Sequence, residues 1–555
     1  MATAESNLFH FRAAGNVILS HESIARIQTL VNEEVFSFPL YYYFVFLAFS
    51  AYIGLIRKPT KPFKNLPMAE GCHWLLGHMY KFTGDFRKTQ LDVFMGNANE
   101  YGQTGFWMGA RRCISVQKWE DARAILHSEY YRRPVPLLKK HLSMFLGDRN
   151  IGVMCGREWR FHRSLIMKAF SLRAVLNSKG TVEEVISTLV GSIKRLHLQS
   201  SSDEVVLDIE AVTKMITMDV FGKAAFSKEF GCCEKLQASE AAEAFQLLGS
   251  ELAKRIFNPL SIQNYFYSFP SEANRKHREA RNYLRSILKE AIQQRHDDEG
   301  FTTRKDVLGL IVEANNQMRH DVKGDKEKES DLEQLCSDMM MVLLFAGHDT
   351  TSISLTYTLY LLSQHPEIEK LCIEEIESSP DELVYCKAVI METLRMFPPA
   401  TLVPRTLTKP VKISGNFVVP VGTQVFIPIW LIQQDPRVFP RPDEFRPDRW
   451  ARREGSTRWV EREESDKLSS DIRPAFRKAF FAFSAGARSC PGQNFAMQET
   501  VLVLAGILKE FKFSTIPGYQ LRPTRNGVVQ RPTDGLPMRI QLRSLATSIQ
   551  AHSSA

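Results

Sequence analysis

The chain has 555 residues, a formal net charge of +9 and 44% hydrophobic residues, ordinary for a globular protein with a large core. The basic balance suits an acidic protein partner or an anionic membrane surface. The absence of zinc-finger spacing, an RNA-binding aromatic motif or a long Lys/Arg run speaks against nucleic acid. The nine cysteines are odd in number and contain no C-x-x-C pair, which argues against a disulfide framework and a structural zinc site.

Residues 1–34 carry no assignable signal. Residues 35–56, VFSFPLYYYFVFLAFSAYIGLI, hold no charge. As a helix they would span about 33 Å, enough for a hydrocarbon core. Tyr41, Tyr42 and Tyr43 suit a membrane interface, and Arg57, Lys58, Lys61 and Lys64 follow at once, placing the C-terminal side in the cytosol. A proline-spaced hinge follows at 57–67, with Pro59, Pro62 and Pro67. The body is read as one domain over 68–545, with a tail at 546–555.

Helical periodicity dominates the body. In GREWRFHRSLIMKAF, Trp159 and Arg163 are four apart and share a helix face. The charged stretch 315–331 reads as a surface loop before a long apolar helix at 332–362. That helix contains Phe345-Ala346-Gly347-His348-Asp349-Thr350-Thr351. Buried polar groups are costly unless satisfied, so an Asp and two Thr here call for a reason. Gly347 weakens the helix locally and Thr350 can turn its hydroxyl to the preceding turn, opening a groove for dioxygen and water. Glu392 and Arg395 lie three apart on one face. Residues 411–427 carry a hairpin signature at Gly415-Asn416 and Gly422. The polar segment 451–478 reads as a solvated insertion.

The most informative stretch is FSAGARSCPG, residues 483–492. Gly486 permits torsions that a side chain forbids. Arg488 sets a positive charge two residues before Cys490, and QNFAMQETVLVLAGILKEF then reads as a helix. A thiolate just before a helix start is stabilised by the helix dipole. Such a thiolate can be the axial ligand of haem iron. A lone cysteine is more often an inert structural residue, and the flanking pattern decides the matter.

Phe483, Gly486, Arg488, Cys490 and Gly492 together resemble the haem-binding loop of the cytochrome P-450 family. The resemblance runs in order through the whole body. It implies a mainly α fold with small β-sheets (α+β), preceded by one transmembrane helix. It also implies haem b (iron protoporphyrin IX) with Cys490 as axial thiolate, and a monooxygenase that inserts one atom of O2 into a lipophilic substrate such as a fatty acid or sterol. Thr350 would hydrogen-bond the activated dioxygen and Asp349 would relay protons. Trp159, Arg163, Arg405 and Arg488 match positions that hold the haem propionates. Glu392, Arg395 and Arg449 match a buried structural triad. The pocket would be walled by 132–150, 245–275, Phe345, Ala346, Thr401, Leu402 and Val403, with Leu536 and Pro537 at its far end. Electrons derived from NADPH would come from NADPH-cytochrome P-450 reductase, with cytochrome b5 as a further partner. Arg473, Arg477 and Lys478 are docking candidates. The expected location is the endoplasmic reticulum membrane, single-pass, with the catalytic domain cytosolic.

The motifs look closest to the fatty-acid-hydroxylating branch. There many animal enzymes carry a Glu that esterifies the haem where this chain has Ala346, so a covalently held haem is not expected. The competing readings are a haem-thiolate isomerase or dehydratase acting on lipid peroxides, and a non-enzymatic haem sensor. The retained Asp349-Thr350 pair speaks against both.

Overall fold

The computed structural model describes most of residues 63–543; the larger gaps are 129–135, 172–177, 258–270, 298–305, 321–325 and 463–474. These residues belong to a compact unit that begins at Thr60. Of the expected membrane segment 35–56 only Leu47 is described, so that expectation lies outside the described residues, as do most of the hinge and the tail. Among the described residues no helix is long and apolar enough to cross a membrane.

Helices make most of the unit. In chain order the long ones are α1 (Trp119–Ser128), α2 (Pro136–Leu146), α3 (Gly156–Ala169), α4 (Lys179–Ser200), α5 (Ile209–Phe226), α6 (Glu240–Phe257), α7 (Glu272–Asp297), α8 (Val307–His320), α9 (Lys326–Gln364), α10 (Pro366–Ser378), α11 (Val384–Met396) and α12 (Gln493–Glu510). The 39-residue α9 runs through the middle of the unit, about 58 Å long by helical rise. From Thr351 to Leu359 every residue is buried, so the helix runs through the core with no solvent face there. Most of its hydroxyls do not break it, because they find a carbonyl one turn back, Thr351 being the exception. Thr350 Oγ1 donates to Ala346 O (2.8 Å), Ser354 to Thr350 (2.9 Å) and Thr356 to Ser352 (2.8 Å).

The charged stretch expected to be a loop is narrower than 315–331. Helix α8 continues to His320 and α9 already starts at Lys326. Lys and Glu are strong helix formers, so KEKESD continues as helix rather than ending it.

The sheets are small. Strands β1 (Gln103–Met108), β2 (Arg111–Val116), β4 (Leu402–Thr406) and β7 (Gln424–Pro428) form one sheet in the order β1-β2-β7-β4. In it β2 and β7 are parallel and the other neighbours antiparallel. Strand β3 (Glu204–Asp208) joins β10 (Phe511–Thr515) and β13 (Pro537–Leu542) in the order β10-β13-β3. Three two-stranded ribbons complete the set: β5 (Val411–Lys412) with β6 (Val418–Val419), β8 (Ala451–Glu454) with β9 (Arg458–Glu461), and β11 (Pro523–Arg525) with β12 (Gln530–Pro532). The first ribbon turns at Gly415 and Asn416, both with positive φ, as the hairpin signature predicts. The start of the polar insertion is thus the β8–β9 ribbon, anchored by Trp459 stacked 4.2 Å from Tyr385 of α11.

One buried carboxylate ties these parts together. Glu392 of α11 receives Arg395 Nε and Nη2, each at 2.9 Å, Arg449 Nε at 3.1 Å, and the indole N–H of Trp450 at 2.9 Å. Arg395 also donates to Gln433 O, and Gln433 Oε1 accepts the backbone N–H of Phe481 at 2.8 Å. Removing one partner of a buried ion cluster leaves uncompensated charge. Glu392→Ala is therefore expected to lower unfolding free energy by about 3–5 kcal/mol in a urea titration.

Candidate functional site

The loop before α12 is built around Cys490. Cys490 N–H donates to Phe483 O (2.9 Å) and Ser489 N–H to Gly486 O (3.0 Å), closing the loop on itself. Gly486 has φ +73°, and a Cβ there would lie 2.3 Å from Leu126 O of α1. Only glycine allows both that torsion and that approach. The loop therefore packs down on α1, and α12 begins directly after Gly492.

Cys490 opens onto a cavity of about 380 Å3. Opposite it the wall comes from α9: Leu343, Ala346, Gly347, Thr350, Thr351 and Ser354. The site is therefore a slot between a thiol and a threonine-bearing helix. Gly347 is required by contact, since a Cβ would lie 2.4 Å from the Phe221 ring of α5. Arg405 of β4 and Arg488 also line the cavity, as do Phe483, Gly492, Leu402 and Val403. Two buried hydroxyls on this wall, Thr351 Oγ1 and Ser484 Oγ, meet no hydrogen-bond partner. Buried polar groups are normally satisfied, so these two point to a missing occupant or water.

The electrostatics around the thiol oppose one another. Burial pushes the Cys490 thiol up, while the Gly492 N–H and the nearby Arg163 guanidinium pull it down. Arg163 is half-buried on α3 and its own pKa is lowered by burial. Trp159, one turn earlier, is buried, and Arg488 lies over its ring at 4.0 Å. Arg488 also donates to Met154 O at 2.8 Å. Trp159 and Arg163 thus stand behind the cavity wall, whereas Arg405 and Arg488 form part of it.

Asp349 and Thr350 part ways. Thr350 faces the cavity; Asp349 is buried and its carboxylate accepts both hydrogen bonds from Arg531 Nη2 of β12, at 2.7 and 2.8 Å. Arg531 Nη1 lies 3.4 Å from Glu210 of α5, and Glu210 pairs with Lys214 at 2.6 Å. This chain of alternating charges escaped the sequence reading. Arg531 stands 182 residues from Asp349 in a polar stretch with no motif. His348 is buried too, with Thr217 Oγ1 3.0 Å from its Nδ1. Burial pushes its pKa down to about 4.

Other expected wall residues lie elsewhere. Phe345 packs edge-on against Phe145 of α2 at 4.9 Å, and Leu536 is fully buried among its neighbours. Among the described residues, neither they nor Thr401, Pro537 or those of 132–150 and 245–275 border this cavity. Of the docking candidates, Arg477 turns to Arg462 O (2.8 Å), and Arg473 lies outside the described residues. All nine cysteines are free thiols.

The folded-state pKa of His348 is below its unfolded value, so below about pH 6.5 the unfolded chain takes up a proton that the folded one refuses. Stability is lost as pH falls from there toward about 4. His348→Asn keeps a polar group beside Thr217 but cannot titrate. Urea unfolding at pH 7.5 and 5 is expected to show a smaller loss for this variant.

The cytochrome P-450 family model matches residues 67–537. The chain is 27% identical to cytochrome P-450 72A15 of Arabidopsis thaliana over 500 residues, 86% of this chain and 88% of that one. It is 28% identical to echinocystic acid 23-monooxygenase of Saponaria officinalis over 469 residues, 80% of this chain and 83% of the relative. It is 26% identical to secologanin synthase 1 of Catharanthus roseus over 464 residues, 80% and 82% of the two chains.

Proposed function

Because this chain belongs to the cytochrome P-450 family of haem-thiolate monooxygenases, we propose that Cys490 ligates the haem iron and that Thr350 and Asp349 manage protons for oxygen insertion into a lipophilic substrate. The observation that carries this reading is the slot itself, with one thiol facing the hydroxyl-bearing turn of α9. When bound, haem b would supply the iron at which O2 is activated.

The residues present fit such a group. The flat cofactor has one thiol to meet and two arginines, Arg405 and Arg488, on the wall for its two carboxylates. Trp159 and Arg163 support them from behind. The orphaned hydroxyls of Thr351 and Ser484 fit a wall that closes around a bound molecule. The Gly492 N–H and Arg163 hold the thiolate against the cost of burying it.

On the opposite wall Thr350 Oγ1 holds its proton on Ala346 O. A rotation about χ1 would release that hydroxyl to the cavity. Asp349 hands protons on only when its carboxylate leaves Arg531, so the Lys214–Glu210–Arg531 chain sets when the relay is open. The lining is largely apolar, with Phe170, Phe221, Leu343 and Leu394 among its members, which suits a lipophilic substrate such as a fatty acid or sterol. Electrons would come from an NADPH-dependent reductase, with cytochrome b5 as a further donor. Residues 35–56 would anchor the enzyme in the endoplasmic reticulum membrane.

Reduced protein exposed to carbon monoxide is expected to give the strongly red-shifted Soret band of thiolate-ligated haem, lost in Cys490→Ser. A band typical of histidine ligation in the wild type would overturn the assignment. Thr350→Ala is expected to keep that band and its haem while diverting consumed O2 to peroxide, measured as product per NADPH. Coupling equal to wild type would remove Thr350 from the mechanism.

A further inference from the structure

Helix α9 carries a second buried carboxylate, Asp338, about three turns before Asp349. It is 1% exposed and does not border the cavity. Its Oδ1 receives Arg285 Nη2 of α7 at 2.7 Å and the amide of Gln334 from its own helix. Its Oδ2 receives the backbone N–H of Arg149 at 3.0 Å, in the loop between α2 and α3. Gly147 opens that loop with φ +93°, and a Cβ there would lie 1.9 Å from the Asp338 carboxyl carbon. A glycine thus stands where the loop backbone meets the carboxylate, a torsion and an approach that a side chain forbids.

From Arg149 the same loop reaches the cysteine site through hydrogen bonds. Asn150 is fully buried and shapes it: its amide donates to Gly147 O at 2.6 Å and its Oδ1 accepts the Gly152 N–H at 2.9 Å. The Asn150 carbonyl accepts the Met154 N–H at 3.1 Å, and Met154 O accepts Arg488 Nη2 at 2.8 Å. Cys155, the next residue, is the N-cap of α3, which carries Trp159 and Arg163. The Arg149 side chain braces the loop at both ends, donating to Asp331 O of α9 and to Glu158 of α3, each at 3.2 Å. A carboxylate on α9 and a guanidinium two residues from Cys490 are therefore joined by one short, largely buried stretch of backbone. Charge effects in a buried site change steeply with distance, so the place of that guanidinium matters to whatever fills the slot.

We propose that Asp338 is a positioning residue for the cysteine site: through Arg149–Met154 it fixes where the Arg488 guanidinium stands, and so sets the reduction potential of the bound haem and the strength with which it is held. Asp338 touches neither cofactor nor substrate. Without its Oδ2 the Arg149 N–H loses its acceptor, the turn relaxes, and Met154 O carries Arg488 with it. A positive charge drawn away from the iron stabilises the added electron less, so the potential falls. This inference rests on the haem-thiolate reading of Cys490.

The test measures the haem midpoint potential by spectroelectrochemical titration, and the rate of haem transfer to excess apomyoglobin, in haem-loaded wild type and variants. Asp338→Ala is expected to make reduction less favourable by at least about threefold and to release haem faster. Asp338→Asn is expected to restore most of the wild-type potential. The Arg285 and Gln334 side chains can turn away from its amide nitrogen, while the Arg149 backbone keeps the amide oxygen. Arg285→Gln, which breaks only the ion pair with α7, is expected to lower stability and leave the potential in place. Asn150→Ala opens the same loop with Asp338 intact; it is expected to reproduce the fall and decides the matter should Asp338→Ala not fold. An unchanged potential in Asn150→Ala, or in a folded Asp338→Ala, overturns the role. So does an equal fall in Asp338→Ala, Asp338→Asn and Arg285→Gln, which would mark the loss of a buried ion pair alone. The carbon monoxide spectrum of the wild type reports thiolate ligation separately. Loss of that band refutes the enzyme assignment, whereas the band with unmoved potentials refutes only the role of Asp338.

Discussion

Everything around the thiol depends on a single carboxylate with no access to water. Glu392 is fully buried, and its two oxygens are shared among two guanidinium groups and an indole, with the Arg446 N–H at 3.1 Å as a further donor. One negative charge faces two positive ones, and backbone carbonyls make up the difference: Arg395 donates to Gln433 O, and Arg449 to Pro440 O and Arg441 O. Such a cluster contributes little net attraction, but it penalises any separation of its members heavily. It therefore acts as a geometric rivet. From Gln433 the constraint passes to the backbone of Phe481, two residues ahead of Phe483, whose carbonyl takes the Cys490 N–H. The position of one sulfur is thus inherited from an ion cluster on a different helix.

The opposite wall is organised by a different economy of polar groups. Helix α9 carries most of its threonines and serines through an apolar core because their hydroxyls bond back to its own backbone. Asp349 has no such option and needs a cation from outside the helix, which Arg531 provides. Thr350 needs none, since Ala346 O suffices, and so it stays on the cavity side. Adjacent residues on one helix point about 100° apart, and this divergence separates a hydroxyl at the cavity from a carboxylate in a buried ion pair.

What the sequence disclosed and what it hid follow from the range of the interactions. The cysteine loop was legible because its glycine, arginine and thiol lie within a few residues and each answers a local need. That Glu392 and Arg395 share a helix face was legible for the same reason, but their burial and their union with Arg449 followed only through the family resemblance. Arg531 was not legible, because nothing near it in the chain records the carboxylate that it meets. Gln433, which links the ion cluster to the loop, sits in the unremarkable stretch IWLIQQD and shows no signal of its own. The stretch 315–331 was misjudged because charge was read as loop, whereas lysine and glutamate also favour an exposed helix. Phe345 was expected on the cavity wall from its place in the motif, yet its ring turns to Phe145, away from its neighbour Ala346.

The pairing of Asp349 with Arg531 also orders events during synthesis. The two residues are 182 positions apart. At roughly 5–20 residues per second, the ribosome needs on the order of ten to forty seconds to make the second after the first. Throughout that interval the central helix exists with a carboxylate whose only described cation has not been made. Helices α10, α11 and α12 are translated meanwhile. A core closed over α9 before then must bury a bare carboxylate or force it to take up a proton, so the pairing favours closing that side of the cavity only after Cys490 and the rest of its wall have been made.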